Sequence, residues 1–135
     1  MKQELTDKII HSYADMFYEE GRGPNRKSTL IGNQISCGDG WFDIIMEICE
    51  EIYAMRPKVH QIKEKFGGLR FYASFPKDYS EQGWAVIRKA EKKAYETCET
   101  CGEPGELRIR NGWRYLGCQK CHDQYCEENE KEEYP

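Results

Sequence analysis

Four cysteines near the C-terminus stand in two doublets: Cys98-x2-Cys101, sixteen intervening residues, then Cys118-x2-Cys121. A two-residue gap lets both sulfurs of a doublet point from one tight turn at a single ion. Two such turns, joined through a hairpin, complete a tetrahedron with metal–sulfur distances of about 2.3 Å. The intervening stretch supplies the hairpin. Glu106-Leu107-Arg108-Ile109-Arg110 and Trp113-Arg114-Tyr115-Leu116 read as strands and flank Asn111-Gly112, the strongest short signal for a two-residue hairpin turn. Gly102 follows the first doublet, where a knuckle favours a residue without Cβ so that amides can approach sulfur. Together these features predict a zinc ribbon with one Zn2+ held by Cys98, Cys101, Cys118 and Cys121. A shell of four thiolates leaves no position for an activated water, so the ion's expected role is structural.

Other readings of the same cysteines compete with this one. His122, beside Cys121, is an alternative fourth ligand; two disulfides would suit an exported chain; a redox dithiol would suit either doublet alone; iron can stand in for zinc. The seven cysteines are an odd number, and Met1-Lys2-Gln3-Glu4 does not begin an apolar leader. Reduced thiols and a bound metal are therefore expected. No apolar run approaches the roughly 20 residues of a membrane helix. The expectation is a soluble, cytoplasmic chain with no membrane partner. Of the remaining cysteines, Cys49 reads as a buried small hydrophobe, Cys37 as structural and Cys126 as incidental.

At 135 residues the chain suits one compact domain, or a small domain with an appendage. Residues 4–20 repeat Leu5, Ile9, Tyr13, Met16 and Phe17 at helical spacing, and Gly21-Arg22-Gly23-Pro24-Asn25 breaks the pattern. A short strand is expected near Leu30 to Ile35. Asp39 is positioned as the N-cap of a helix that carries Trp41, Ile44, Ile45, Ile48, Cys49, Ile52 and Tyr53 on one broad face and stops at Pro57. The period then changes. Leu69, Phe71, Ala73 and Phe75 alternate with Arg70, Tyr72 and Ser74, which predicts a β-hairpin over 58–75 turning at Gly67-Gly68. A third helix is predicted from Ser80 or Glu81 to Thr97, with Trp84, Ile87, Ala90, Ala94 and Tyr95 inward and Arg88, Lys89, Lys92 and Lys93 outward. Glu91 and Glu96 are available to pair along it.

The net charge of −4 conceals a segregation. Residues 58–93 carry nine Lys/Arg against four Asp/Glu, whereas residues 123–135 carry one against six. The middle is a basic island between acidic flanks, an asymmetry that either marks an anionic partner or is neutralised within the fold by the flanking acids. Within it Lys63, Lys65, Arg70 and Tyr72 form the candidate ligand-binding set, cations for phosphate and a tyrosine for a base. The bland reading makes them the solvated face of an amphipathic hairpin, with Arg70 paired to a carboxylate. Trp113 and Tyr115 are expected to pack the ribbon against its neighbour rather than to meet a partner.

Three strings carry a resemblance: Cys37-Gly38-Asp39-Gly40-Trp41-Phe42; Gln61-Ile62-Lys63-Glu64-Lys65-Phe66-Gly67-Gly68-Leu69-Arg70-Phe71-Tyr72; and Cys98-x2-Cys101-Gly102-x-Pro104-Gly105 with Gly112-Trp113. They resemble a family of small proteins encoded by bacteriophages and prophages, over about residues 37–121. The resemblance implies a phage origin and the cytoplasm of the host cell, and no particular activity.

The expected fold is α+β: helices and a β-hairpin over 1–97, a four-cysteine zinc ribbon over 98–126 packed on them, and a mobile acidic tail over 127–135. Three classes of function follow. The first is a binding module for a host protein or a nucleic acid, stapled by zinc. The second is a factor that captures a nucleotide or other anionic, phosphorylated small ligand. An enzyme is the least supported, because no His/Asp/Glu constellation at catalytic spacing is visible. A nucleophilic Cys37 would need His11 or His60 beside it.

Overall fold

The computed structural model describes residues 1–20 and 26–133, and of 127–133 only the backbone course. The expected break at Gly21–Asn25 and residues 134–135 of the expected tail lie outside the described residues. The architecture is α+β, with five α-helices and two small antiparallel hairpins among the described residues.

The first predicted helix is two. α1 spans Gln3–Ser12 and α2 Ala14–Phe17, separated by Tyr13 at φ −133°, ψ 42°. Long-range pairing ends α2 early. Tyr18 is extended and bridges Ser28, while Thr29 N donates to Phe17 O at 2.9 Å. Lys58 Nζ donates to Asp15 O and Tyr18 O, each at 2.7 Å, and so satisfies carbonyls at the end of α2. The short strand expected near Leu30 to Ile35 is instead a 3₁₀ turn over Ile31–Asn33, with Gly32 at φ 71° and buried Leu30 and Ile35 on either side.

α3, Phe42–Ile52, is the core helix. Ile44, Ile45, Ile48, Cys49 and Ile52 are buried along it, preceded by Trp41 with no exposed surface. Its N-terminus differs from expectation. Asp39–Trp41 is a 3₁₀ turn, and Asp39 does not cap α3; its Oδ1 accepts from Lys2 N at 2.8 Å. Tyr53, expected on the apolar face, is exposed, in a 3₁₀ turn over Tyr53–Met55 that closes on left-handed Arg56.

β1, Lys58–Lys65, and β2, Gly68–Ser74, form the predicted hairpin with a bulge between Val59 and Gln61. Val59, Ile62, Leu69, Phe71 and Ala73 are buried on one face. The turn sits one residue earlier than expected, at Phe66-Gly67, whose φ angles of 54° and 82° are those of a two-residue primed turn. Gly68 pairs with Lys65 inside the ladder and needs no unusual φ. Its missing side chain makes room for a phenol: a Cβ there would lie 2.4 Å from Tyr95 Oη.

α4, Ser80–Ala94, stops short of the predicted Thr97 as successive i→i+3 bonds tighten its end. It packs on α3 and on β2. Gly83, Ile87 and Ala94 are buried on it, while Tyr95 is partly exposed over Gly68. Glu91 serves the hairpin rather than its own helix. Its Oε2 accepts from Phe71 N at 2.9 Å, and burial raises its carboxyl above the ordinary range. Arg88, Lys89, Lys92 and Lys93 are exposed as expected.

β3, Glu106–Arg110, and β4, Trp113–Gly117, form the ribbon hairpin, turning through Asn111 at φ 50° and Gly112 at φ 82°. α5 then runs from Gln119 to Glu133. The segment expected to be a tail is therefore helical as far as Glu133.

Candidate metal centre

Local backbone chemistry builds the first knuckle. Cys98 N donates to Glu103 O at 2.7 Å, Gly102 N donates to Cys98 O at 2.9 Å, and Gly102 stands at φ 82°. The second doublet opens α5: Cys121 N donates to Cys118 Sγ at 3.4 Å and His122 N to Cys118 O at 3.0 Å. Two thiolates are thereby placed in the first turn of a helix, where free amides and the helix dipole favour negative charge.

The ladder β3–β4 closes the two halves. The Sγ atoms of Cys98, Cys101, Cys118 and Cys121 all lie within 4.8 Å of one another, and Cys101 Sγ is 3.6 Å from Cys118 Sγ. Sulfurs at the corners of a tetrahedron with bonds of about 2.3 Å stand about 3.8 Å apart. The donor set therefore fits one tetrahedral ion, and all four thiols are free of disulfides. Electrostatics agree. Burial acts to raise the Cys98 thiol, but amides of Cys101, Cys118 and Thr100 outweigh it and bring it to about 7. Burial, and then hydrogen bonding to the neighbouring thiols, pushes Cys121 up to about 12. Four such sulfurs cannot all ionise together without a cation between them. Cys98 is buried, Cys118 and Cys121 are half-buried, and Cys101 is exposed.

His122 is not a fourth ligand. One ring nitrogen, Nδ1, meets Tyr115 Oη, and the other, Nε2, is 3.7 Å from Cys126 Sγ. Cys126 thus contacts His122 and stands apart from the four-sulfur cluster.

The unit is clasped by residues far away in sequence. Gly40 N donates to Glu99 O at 2.7 Å, Gly38 N to Glu99 Oε2 at 2.8 Å, and Trp41 Nε1 to Thr97 O at 2.9 Å. A Cβ on Gly40 would lie 2.2 Å from Cys98 O, so the backbones touch. Burial, and then the charge of Glu64, raise the Glu99 carboxyl, against the pull of the Gly38 amide. The tip of the first hairpin holds the other side: a Cβ on Gly67 would lie 2.5 Å from Leu107 Cδ1 and 3.3 Å from Tyr115 Cα. The string over residues 37–42 thus grips the first knuckle, and the tip of the string over 61–72 meets the ribbon strands. This clasp was missed in the sequence, where Asp39 drew notice and its flanking glycines did not.

Cys37 and Cys49 are buried thiols, each pushed up to about 12, by burial first in both cases and for Cys37 also by the Glu99 charge. His60 Nε2 is 2.8 Å from Ser74 Oγ, and His11 is exposed. No histidine partner for Cys37 stands among the described residues.

The candidate ligand set is brought together. Lys63 faces Arg70 directly across the ladder, Gln61 faces Tyr72, and Lys65 faces Gly68, so Lys63, Lys65, Arg70 and Tyr72 share the face opposite the core. Lys65 and Tyr72 are exposed; Lys63 and Arg70 are half-buried, and Arg70 Nη1 lies 3.5 Å from Tyr95 Oη. Among the described residues none of Lys63, Lys65 and Arg70 forms an ion pair within 4.0 Å. Trp113, expected to pack, is 79% exposed at the ribbon tip; Tyr115 does pack, stacked on His122 at 5.8 Å.

No protein-family model matches the chain, and no curated protein or solved structure matches it either. No helix among the described residues is long and apolar enough to cross a membrane.

Proposed function

We propose that this chain is a phage-encoded module that binds nucleic acid through the outer face of its first hairpin, with a zinc ion as the staple of the ribbon. Four thiolates in a tetrahedron suit zinc, and a closed shell assigns the ion no chemistry beyond holding the chain. The phage origin rests on the resemblance that the three strings carry.

The observation that carries the binding reading is the direct opposition of Lys63 and Arg70. Like charges facing each other across a ladder are destabilising. Here they stand beside Lys65, with no close ion pair among the described residues, although Arg70 feels the charge of the half-buried Glu91 carboxylate. A row of phosphates would supply counter-charge along the whole row, Lys63 and Lys65 included, and exposed Tyr72 offers a ring for a base. A small phosphorylated ligand would need an enclosed pocket. The clefts of about 580 Å³ between α3 and α4 and about 560 Å³ beside Arg56 are lined by other residues.

Titration with a labelled oligonucleotide at increasing salt tests the reading. Affinity is expected to fall steeply with salt, and Lys63→Ala or Arg70→Ala to lower the log–log slope by about 0.7–0.9 for each phosphate that the side chain neutralises. Affinity indifferent to salt, or unchanged in both variants, would overturn it.

A further inference from the structure

The turn of the first hairpin packs against the ribbon. Gly67 sits against the backbone of Tyr115, in the middle of β4, so the tip of one hairpin abuts the side of the other. From Tyr115 the ribbon continues two residues to Trp113. The ladder pairs Ile109 with Arg114 and Arg110 with Trp113 on this stretch. Large apolar side chains are left in water here: Trp113 at 79%, Ile109 at 66%, and Phe66, beside Gly67, at 64%.

The two rings each stand next to a cation: Lys65 Nζ lies 5.5 Å from the centre of the Phe66 ring, and Arg110, which also lies over the Tyr125 ring at 4.8 Å, is directly opposite Trp113. Ile109 and Arg114 pair on the other face of the ribbon. Among the described residues neither Lys65 nor Arg110 forms an ion pair within 4.0 Å. An exposed apolar patch commonly marks a protein interface, but lysine is depleted from the cores of such interfaces. An exposed ring beside a cation at two places, Phe66 with Lys65 and Trp113 with Arg110, matches a polyanion that also presents flat apolar faces. That chemistry belongs to unpaired bases on a phosphate backbone.

We infer that the ribbon tip extends the hairpin face into a track for single-stranded nucleic acid, with Trp113 as its stacking platform. The inference rests on the nucleic-acid reading above and specifies its ligand. By the chain path through Gly67 and Tyr115, Arg70 and Trp113 are no more than roughly 22 Å apart, at about 3.4 Å per extended residue. A strand of a few nucleotides spans that distance. Duplex DNA buries its base faces and offers Trp113 nothing to stack on.

The test uses the full metal-loaded chain, a single strand of about 12 nucleotides and its duplex, read by anisotropy and by tryptophan fluorescence. Trp41 is buried and Trp84 half-buried, so quenching on binding reports chiefly on Trp113. Trp113→Ala is expected to weaken single-strand binding by about tenfold or more, with duplex affinity, salt slope and melting temperature unchanged. Trp113→Phe keeps most of the affinity and loses most of the quenching. If Trp113→Ala binds the single strand as tightly as the parent while Arg70→Ala does not, the hairpin reading stands and this inference fails. Equal affinity of the parent for both strand forms overturns it as well. So does a parent dimer that Trp113→Ala converts to a monomer, since a second copy would then cover the tip. A parent that binds neither form overturns both readings.

Discussion

Chelation of the metal is expected to lower the melting temperature by at least about 10 °C and to unfold the ribbon. At about 3–5 °C per kcal/mol for a chain of this size, that corresponds to a loss of a few kcal/mol. The ribbon has little else to hold it. Within residues 98–126 the buried apolar side chains are Cys98 and Leu116, and structural zinc sites in small domains contribute apparent binding energies of about 10–16 kcal/mol. The damage then spreads. When the knuckle leaves, Trp41 Nε1 and the amides of Gly38 and Gly40 lose their acceptors. Each donor left buried and unpaired costs about 1–3 kcal/mol. Thermal melts with and without chelator, beside metal analysis of the purified chain, check this directly. Cys98→Ser or Cys121→Ser should reproduce the loss, whereas His122→Ala and Cys126→Ser should retain one metal ion per chain. A chain without metal whose melting is indifferent to chelation would refute the site.

Gly40→Ala is expected to be nearly as damaging, although it adds one methyl group at a position without special backbone angles. The new Cβ would lie 2.2 Å from Cys98 O, 2.6 Å from Gly102 N and 2.7 Å from Glu99 C. All three are backbone atoms of a turn whose sulfurs are tied to the metal, so none can rotate aside. Overpacking of a site that cannot relax costs about 1–3 kcal/mol, and this clash belongs at the upper end. A fall in melting temperature of about 10 °C and a weaker hold on the metal in competition with a chelator are the expected readouts. Asp39→Ala is the control. Among the described residues its carboxylate meets exposed Lys2, accepting a hydrogen bond from the Lys2 backbone N–H at 2.8 Å and forming an ion pair with Nζ at 3.9 Å. The cost there should stay below about 1 kcal/mol. If the two variants melt alike, the clasp does not bear on stability.

Both predictions concern contacts that no local pattern announces. The doublets could be read as ligands because a knuckle is made by neighbours: the spacing, the following Gly102, and the Asn111-Gly112 turn that folds one doublet onto the other. The helical stripe of α3 and the alternation of β2 were legible for the same reason, since each depends on a period of a few residues. The alternation alone gathers Lys63, Lys65, Arg70 and Tyr72 on one face, whereas the register that sets Lys63 opposite Arg70 depends on a turn one residue earlier than the sequence suggests.

The departures have a common origin in distance along the chain. Periodicity over residues 4–20 favours one helix, but Tyr18 and Ser28 pair as extended chain and end it at Phe17. Trp113 has the composition of a packing residue, yet the first hairpin meets the ribbon at Tyr115 and stops before reaching it. The acidic stretch after Cys126 reads as a solvated tail. It follows a first turn already shaped by Cys118 and Cys121, and a turn fixed in advance removes the nucleation cost that keeps polar helices from forming. Short-range spacing thus specified the ligands, the turns and the apolar faces. Packing between segments some 10 to 60 residues apart decided where the first helical stretch ends, why Gly38 and Gly40 must lack side chains, and which aromatic rings remain in water. Side chains from opposite ends of a chain impose their sterics only after the backbone has brought them together, and no period of a few residues encodes that.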